Sequence, residues 1–216
     1  MTINQYFDKI FVINLASRPD RLEHFKGECR KHGLSGVERF EGFLKPICDG
    51  KANGNLGCTA SHRAILDLIC HYKWPRTLVF EDDMNVVVPN LQEQFSKMIE
   101  EVPETWQMLY LGGSYAEAPK GWHSRHVVRI NGIQTTSSYA VTHAAARAMA
   151  PHISGASPID NLYHRWSTEL ESYMFEPRLC AQYTNVSDLQ DRGMNNEMSM
   201  LDKGHIQRLC QTNPRP

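Results

Sequence analysis

Leu78-Val79-Phe80 runs straight into Glu81-Asp82-Asp83. An apolar, β-prone run that ends in charges reads as a buried strand whose carboxyl end reaches a polar edge. Three adjacent carboxylates repel one another and at neutral pH call for a compensating cation. Their oxygens are hard ligands that suit Mg²⁺ or Mn²⁺, ions usually shared with substrate phosphates. The triplet therefore marks a metal–diphosphate site at a sheet edge or, equally well on these residues alone, a solvated acidic turn.

Other residues fall where such a site would need them. In an open α/β sheet, ligands bind beyond the carboxyl ends of the strands. Asn14 closes the apolar run Lys9–Leu15, and Gly112-Gly113 closes Trp106–Leu111, so both would share one crevice with the triplet. Asn14 could bond a base or sugar edge, or simply close a turn. Arg18 and Arg21 are three apart on the following helix and so share a face. From there their guanidinium forks could reach a diphosphate, the alternative being surface pairs with Asp20 or Glu23. Ser61-His62-Arg63 lies near a helix start, where free backbone N–H groups attract anions. Ser61 reads as a cap and not a nucleophile, because no G-x-S-x-G elbow surrounds it. The chain lacks G-x-x-x-x-G-K-[ST] and G-x-G-x-x-G, which excludes a P-loop NTPase and a Rossmann dehydrogenase. Asp160 stands where a helix begins, and a cap is the default role for an Asp there. Spacing alone does not select it as a base.

These residues require an alternation of strands and helices to position them. Lys9–Leu15 reads as the first strand. Ser17 then caps a helix with Pro19 in its first turn and Gly33 at its end. Gly36–Phe40 is a second strand, 45–57 a polar, glycine-rich loop, and 60–72 a helix capped by Thr59 or Ser61. Arg76–Phe80 is the central strand and Leu91–Glu101 a helix with one apolar face. Trp106–Leu111, His126–Ile130 and Ser138–Val141 are strands, the last two around a turn at Asn131-Gly132. His143–Ala150 and Pro158–Trp166 are helices, and Tyr173–Phe175 and Leu179–Ala181 are strands. Early alternation followed by clustered short strands indicates an α/β fold, with a mostly parallel central sheet flanked by helices and a smaller mixed β portion.

The 216 residues suit a single domain spanning 1–216 with its own core, and the Asn- and Met-rich stretch 189–216 reads as a mobile tail. A formal charge of −1 gives no general drive toward nucleic acid or an anionic membrane. No transmembrane run or signal peptide is evident. The six cysteines form no C-x-x-C pair, which points to reduced thiols and a cytoplasmic location.

Taken together, the pieces resemble glycosyltransferase family 25, which includes bacterial lipooligosaccharide galactosyltransferases and procollagen galactosyltransferases. The matching residues are Val12-Ile13-Asn14-Leu15 with Arg18-Pro19-Asp20-Arg21, Gly57-Cys58 with Ser61-His62, and Phe80-Glu81-Asp82-Asp83. They continue through Tyr110-Leu111-Gly112, Ser138-Tyr139-Ala140-Val141, Pro158-Ile159-Asp160, and Pro177 with Gln182 and Ser187-Asp188. The resemblance implies a GT-A fold and inverting transfer of galactose or glucose from a UDP-sugar. The acceptor would be a hydroxyl on a glycan, a protein hydroxylysine or a hydroxymethylated nucleobase. It implies that Glu81-x-Asp83 takes the place of a D-x-D motif. Asp83 would then bind Mn²⁺ or Mg²⁺, and Glu81 or Asp82 would touch the metal, ribose or sugar. Arg18, Arg21, Ser61 and His62 would hold the nucleotide, with Asn14 and Leu15 beside it. Asp160 becomes the leading general base by this analogy alone, with Asp188 as the second candidate or a further metal-side ligand. Ala16 stands where many relatives carry a polar residue. Tyr115 and Trp122 could stack on an acceptor sugar, or merely pack a loop. The other class of function is a non-catalytic module that binds a carbohydrate or a partner in the same crevice.

Overall fold

A computed structural model describes residues 1–46, 52–153 and 157–183. Asp188 and the segment 189–216 lie outside the described residues. The first elements are α1 (Ile3–Tyr6), β1 (Lys9–Asn14), α2 (Pro19–His32), β2 (Val37–Glu41), β3 (Lys45–Pro46) and β4 (Ala52–Asn53). Next come α3 (Gly54–Tyr72), β5 (Arg76–Glu81), β6 (Met84–Val86), α4 (Leu91–Ile99), β7 (Met108–Tyr110) and β8 (Gly121–Trp122). The last are β9 (Val127–Arg129), β10 (Ser138–Thr142), α5 (His143–Met149), α6 (Ile159–Glu169), β11 (Ser172–Phe175) and β12 (Cys180–Gln182).

Eight strands form one sheet in the order β2-β1-β5-β10-β7-β11-β9-β8. Strands β2, β1, β5, β7, β11 and β8 run one way, while β10 and β9 run the other. This is the expected α/β architecture, mostly parallel with a mixed flank. β12 pairs with β6 in a small separate ribbon beside the sheet. Alternation along β5 splits the core. Leu78 and Phe80 pack with Phe25, Phe95 and Met98 under α2 and α4. Val79 points the other way, into Ile65, Leu66, Ile69, Tyr139 and Tyr163 under α3, α5 and α6. Because both faces of β5 are covered, its polar residues can surface only at its end.

Three local expectations change. Pro19 occupies the first helical position of α2, so Arg18 and not Ser17 precedes the helix; the locked φ of proline suits that first turn. Helix α3 begins at Gly54, not near Ala60, and absorbs the last four residues of the glycine-rich stretch. Its Gly57 marks close backbone approach, since a Cβ there would lie 2.1 Å from the Phe43 carbonyl oxygen. Thr59 and Ser61 thus sit inside the helix and cap nothing; their hydroxyls donate back to Asn55 O at 2.9 Å and Gly57 O at 2.8 Å. Finally, β9 and β10 do not pair around Asn131-Gly132. The chain leaves the sheet there: Gly132 has φ 102° and Ile133 N–H donates to Ser167 Oγ of α6 at 3.0 Å. No helix among the described residues is long and apolar enough to cross a membrane.

Gly112 ends the β7 segment against the start of β12. A Cβ at this position would lie 1.8 Å from the Cys180 carbonyl oxygen. Backbone cannot yield as a side chain can, so Gly112→Ala should cost about 1–3 kcal/mol or more. A lower urea midpoint with an unchanged m-value is the expected result.

Candidate active site

The end of β5 delivers Glu81, and Asp82 and Asp83 form the turn into β6. Asp82 and Asp83 are each only 6% exposed, so the triplet is not a solvated turn. One cation reaches them from the start of α2. Arg21 Nη1 lies 3.2 Å from Asp82 Oδ1 and 3.6 Å from Asp83 Oδ2. Asn14, at the end of the neighbouring β1, donates to Asp82 Oδ2 at 2.7 Å and to the Arg18 carbonyl at 2.8 Å. Its Oδ1 accepts from Arg39 Nε at 2.9 Å, so the amide fixes Asp82 from beneath.

Asp83 is held differently. Gln182 Nε2 of β12 donates to its Oδ2 at 2.8 Å, while its Oδ1 is buried and has no hydrogen-bond partner among the described residues. Burial and the Glu81 charge push the Asp83 carboxyl up to about 8, against the pull of Arg21. Burial likewise raises Asp82, although Asn14 and Arg21 oppose it.

Glu81 faces the opposite layer. Its Oε1 accepts from Thr136 Oγ1 at 2.5 Å and lies 3.3 Å from His62 Nε2. Burial alone would raise its carboxyl; the hydrogen bonds from His62 and Thr136 outweigh that and hold it below the ordinary range. His62 Nδ1 is 2.9 Å from the Tyr139 hydroxyl, and Tyr163 donates to that same hydroxyl at 2.8 Å. The set closes if His62 is neutral with its proton on Nε2, a tautomer assigned from these bonds. Asp160, in the first turn of α6, is pushed up to about 7 by burial and by Glu81, with a Thr136 bond opposing.

A cleft runs over these groups. Arg21, Ser61, His62 and all three carboxylates of the triplet line it, and Ile13, Leu15 and Phe43 form an apolar wall. The wall is pinned by Ser61, whose Oγ accepts from Phe43 N–H at 2.9 Å. An apolar wall facing a charged floor suits a ligand with a flat organic end and an anionic end.

The site residues expected from sequence thus divide. The structure brings together Leu15, Arg21, Ser61, His62, Glu81, Asp82 and Asp83, with Asn14 beneath and Asp160 within electrostatic reach of Glu81. Arg18 departs from the expected shared face with Arg21. It precedes the helix and forks onto Asp20, with Nε–Oδ1 at 3.0 Å and Nη2–Oδ2 at 2.8 Å. That bond holds the Asp20 carboxyl down at about 2. The Ser61-His62 pair is a full turn and more inside α3, so it presents side chains and not a helix N-terminus. Tyr115 is buried under Arg178, and Trp122 lies on β8 at the sheet's far edge, so neither stacks in this cleft. Thr136, Tyr163 and the cleft-side thiol of Cys58 carried no site signal. Thr136 was hidden because its place beside Glu81 follows from β10 lying antiparallel to β5, with Ser138 opposite Phe80.

A divalent cation fits this chemistry. Asp83 Oδ1 is an unpartnered buried carboxylate oxygen, the Glu81 charge raises the proton affinity of Asp83, and hard oxygens are the ligands that Mn²⁺ and Mg²⁺ take.

The family model described as glycosyltransferase family 25 (LPS biosynthesis protein) matches residues 50–163. "Inactive glycosyltransferase 25 family member 3" of Homo sapiens is 25% identical, over 85% of this chain and 38% of its own. The Mus musculus protein of the same name is 26% identical, over 49% of this chain and 22% of its own. The chain therefore spans well under half the length of the curated relatives it matches. Among solved structures, a Drosophila β1,4-galactosyltransferase 7 complex with manganese, UDP-Gal and xylobiose has a TM-score of 0.45 at 13% identity, covering 82% of this chain and 71% of its own.

The raised carboxyls set a pH dependence. Asp83 and Asp160 keep protons in the fold where the unfolded chain, titrating near 4, has lost them. The stability they contribute is complete below about pH 4 and is lost as pH rises through about 7 and 8. Glu81 works in the opposite sense, its contribution lost only in acid. Urea midpoints of the metal-free protein should therefore fall between pH 5 and 8. Asp83→Asn should flatten that fall, and an unchanged slope would show that the carboxyl is not buried as described.

Proposed function

Because the chain belongs to glycosyltransferase family 25, matched over residues 50–163, we propose that it is a metal-dependent inverting hexosyltransferase using UDP-galactose or UDP-glucose. The observation that supports this most directly is the carboxylate pair Glu81 and Asp83 lining a cleft, with Asp83 buried and its Oδ1 unpartnered. Asp83 and Glu81 would hold Mn²⁺ or Mg²⁺, and the bound ion would neutralise charge on the departing diphosphate. The GT-A fold belongs to the same reading.

The chain's own residues supply the rest. Arg21, already lining the cleft, offers a guanidinium to the diphosphate, and Asp82 and Asn14 keep it aimed. Leu15 and Phe43 give the nucleoside an apolar face, while His62 fixes the orientation of Glu81. Asp160 accepts the proton of the acceptor hydroxyl as it attacks. A carboxylate raised to about 7 matches a base working near neutrality. Asp188 is the second candidate for that proton or for the metal. The acceptor is a hydroxyl on a glycan, a protein hydroxylysine or a hydroxymethylated nucleobase.

A second reading has its own support, since the human and mouse relatives are named inactive. In that case the cleft binds a carbohydrate or a partner without turnover.

Slow hydrolysis of UDP-galactose and UDP-glucose with Mn²⁺ separates the two. Transferase chemistry predicts hydrolysis that EDTA abolishes and a thermal midpoint raised by Mn²⁺ plus UDP. Asp83→Asn should lose both signals. Asp160→Asn should keep the thermal shift and lose roughly 10²–10⁴-fold in acceptor-dependent turnover. Ligand-induced stabilisation without any hydrolysis would favour the non-catalytic module.

A further inference from the structure

Cys58 and His62 are four residues apart on α3, so both side chains point to the same side, into the cleft. Glu81 meets them from the end of β5. The thiol sulfur, an imidazole nitrogen and a carboxylate oxygen all lie within 4.8 Å of one another. Neither the hexosyltransferase reading nor the matched family description gives Cys58 a task.

We propose that Cys58, His62 and Glu81 form a second metal site, one that takes Zn²⁺ or a similarly thiophilic ion at the floor of the cleft. The ligand types differ from those of the Asp83 centre: a thiolate and an imidazole suit Zn²⁺, whereas Mn²⁺ and Mg²⁺ prefer oxygen. The geometry is close to complete. Zinc bonds of about 2.0–2.1 Å to N and O set neighbouring tetrahedral ligands about 3.3–3.4 Å apart. The His62 Nε2 to Glu81 Oε1 separation is 3.3 Å, so these two atoms already span one edge of such a tetrahedron. Only the half-buried Cys58 side chain must close in, and the open cleft leaves the fourth position to water.

The surrounding groups support the change in protonation. His62 moves its proton from Nε2 to Nδ1 and donates it to the Tyr139 oxygen at 2.9 Å, the outer-shell bond that a zinc-bound histidine requires. The Tyr139 oxygen has a second lone pair for the bond it already accepts from Tyr163. The imidazole stays neutral and the thiol gives up one proton to solvent. Burial, with the Glu81 charge beside it, holds the thiol protonated in the metal-free protein, and the Glu81 carboxylate also draws in a dication.

The ligand set stands whether or not the hexosyltransferase reading does. If both hold, the two sites compete for Glu81, and zinc inhibits turnover by drawing that carboxylate away from Asp83.

Titration of the full chain with Co²⁺, read by absorbance, tests the site through its thiolate-to-cobalt charge-transfer band and the intense visible bands of a tetrahedral ion. Both should form, bleach when Zn²⁺ is added, and disappear in Cys58→Ser but persist in Cys29→Ser and Cys70→Ser. In the wild-type protein, Zn²⁺ should also slow iodoacetamide labelling of Cys58, read by peptide mass spectrometry, which decides the matter if the Cys58→Ser chain fails to fold. No charge-transfer band, a band that survives Cys58→Ser, or Cys58 labelling indifferent to zinc overturns the proposal. The thermal shift with Mn²⁺ plus UDP, measured on the same preparations, reports the Asp83 centre separately, so failure of one site is not mistaken for failure of the other.

Discussion

Like charge held out of water is the constraint around which this molecule is organised. Glu81, Asp82 and Asp83 leave β5 in succession, and two of them are almost wholly buried. Such a group can survive by losing its charge, by finding a cation or by accepting strong hydrogen bonds. The protein uses all three, one for each carboxylate. Asp83 retains its proton to about pH 8, Asp82 takes Arg21 and Asn14, and Glu81 takes Thr136 and His62. These separate solutions leave the three neighbours with three different chemistries.

Each solution recruits a different part of the fold. Arg21 comes from α2, Asn14 from β1, His62 from α3, Gln182 from β12, and Thr136 from the segment leading into β10. The reversed strand β10 is central to this. Lying between β5 and β7, it puts Thr136 and Tyr139 beside the carboxyl end of β5, where a parallel neighbour would have placed its amino-terminal residues elsewhere. Tyr139 then links His62 to Tyr163 on α6, the helix that also carries Asp160. Both layers of the core thus meet at one cleft, and neither could form the site alone.

Much of this was legible in the residues. An apolar run ended by charges located β5 and its edge, and a proline followed at distance by a glycine bracketed α2. These signals are local, and local physics decides them. What sequence hid was non-local. Thr136 joins Glu81 only through strand pairing across 55 residues. The stretch 54–57 looked like a loop because glycine usually breaks helices, yet Gly57 is there for the contact with Phe43. Spacing put Arg18 and Arg21 on one helix face, and proline at position 19 separated them by setting where the helix starts.

The unpartnered oxygen of Asp83 bears on how such a chain would drift over generations. A carboxyl that is awkward to bury is kept only while something selects for it, and functional sites commonly carry stability costs of this kind. Once selection for the acid lapses, the first replacement of Asp83 by a neutral residue makes the fold easier to maintain, and restoring the acid runs uphill. Loss of that acid therefore works as a ratchet, leaving descendants that are sound as folded proteins and slow to regain it.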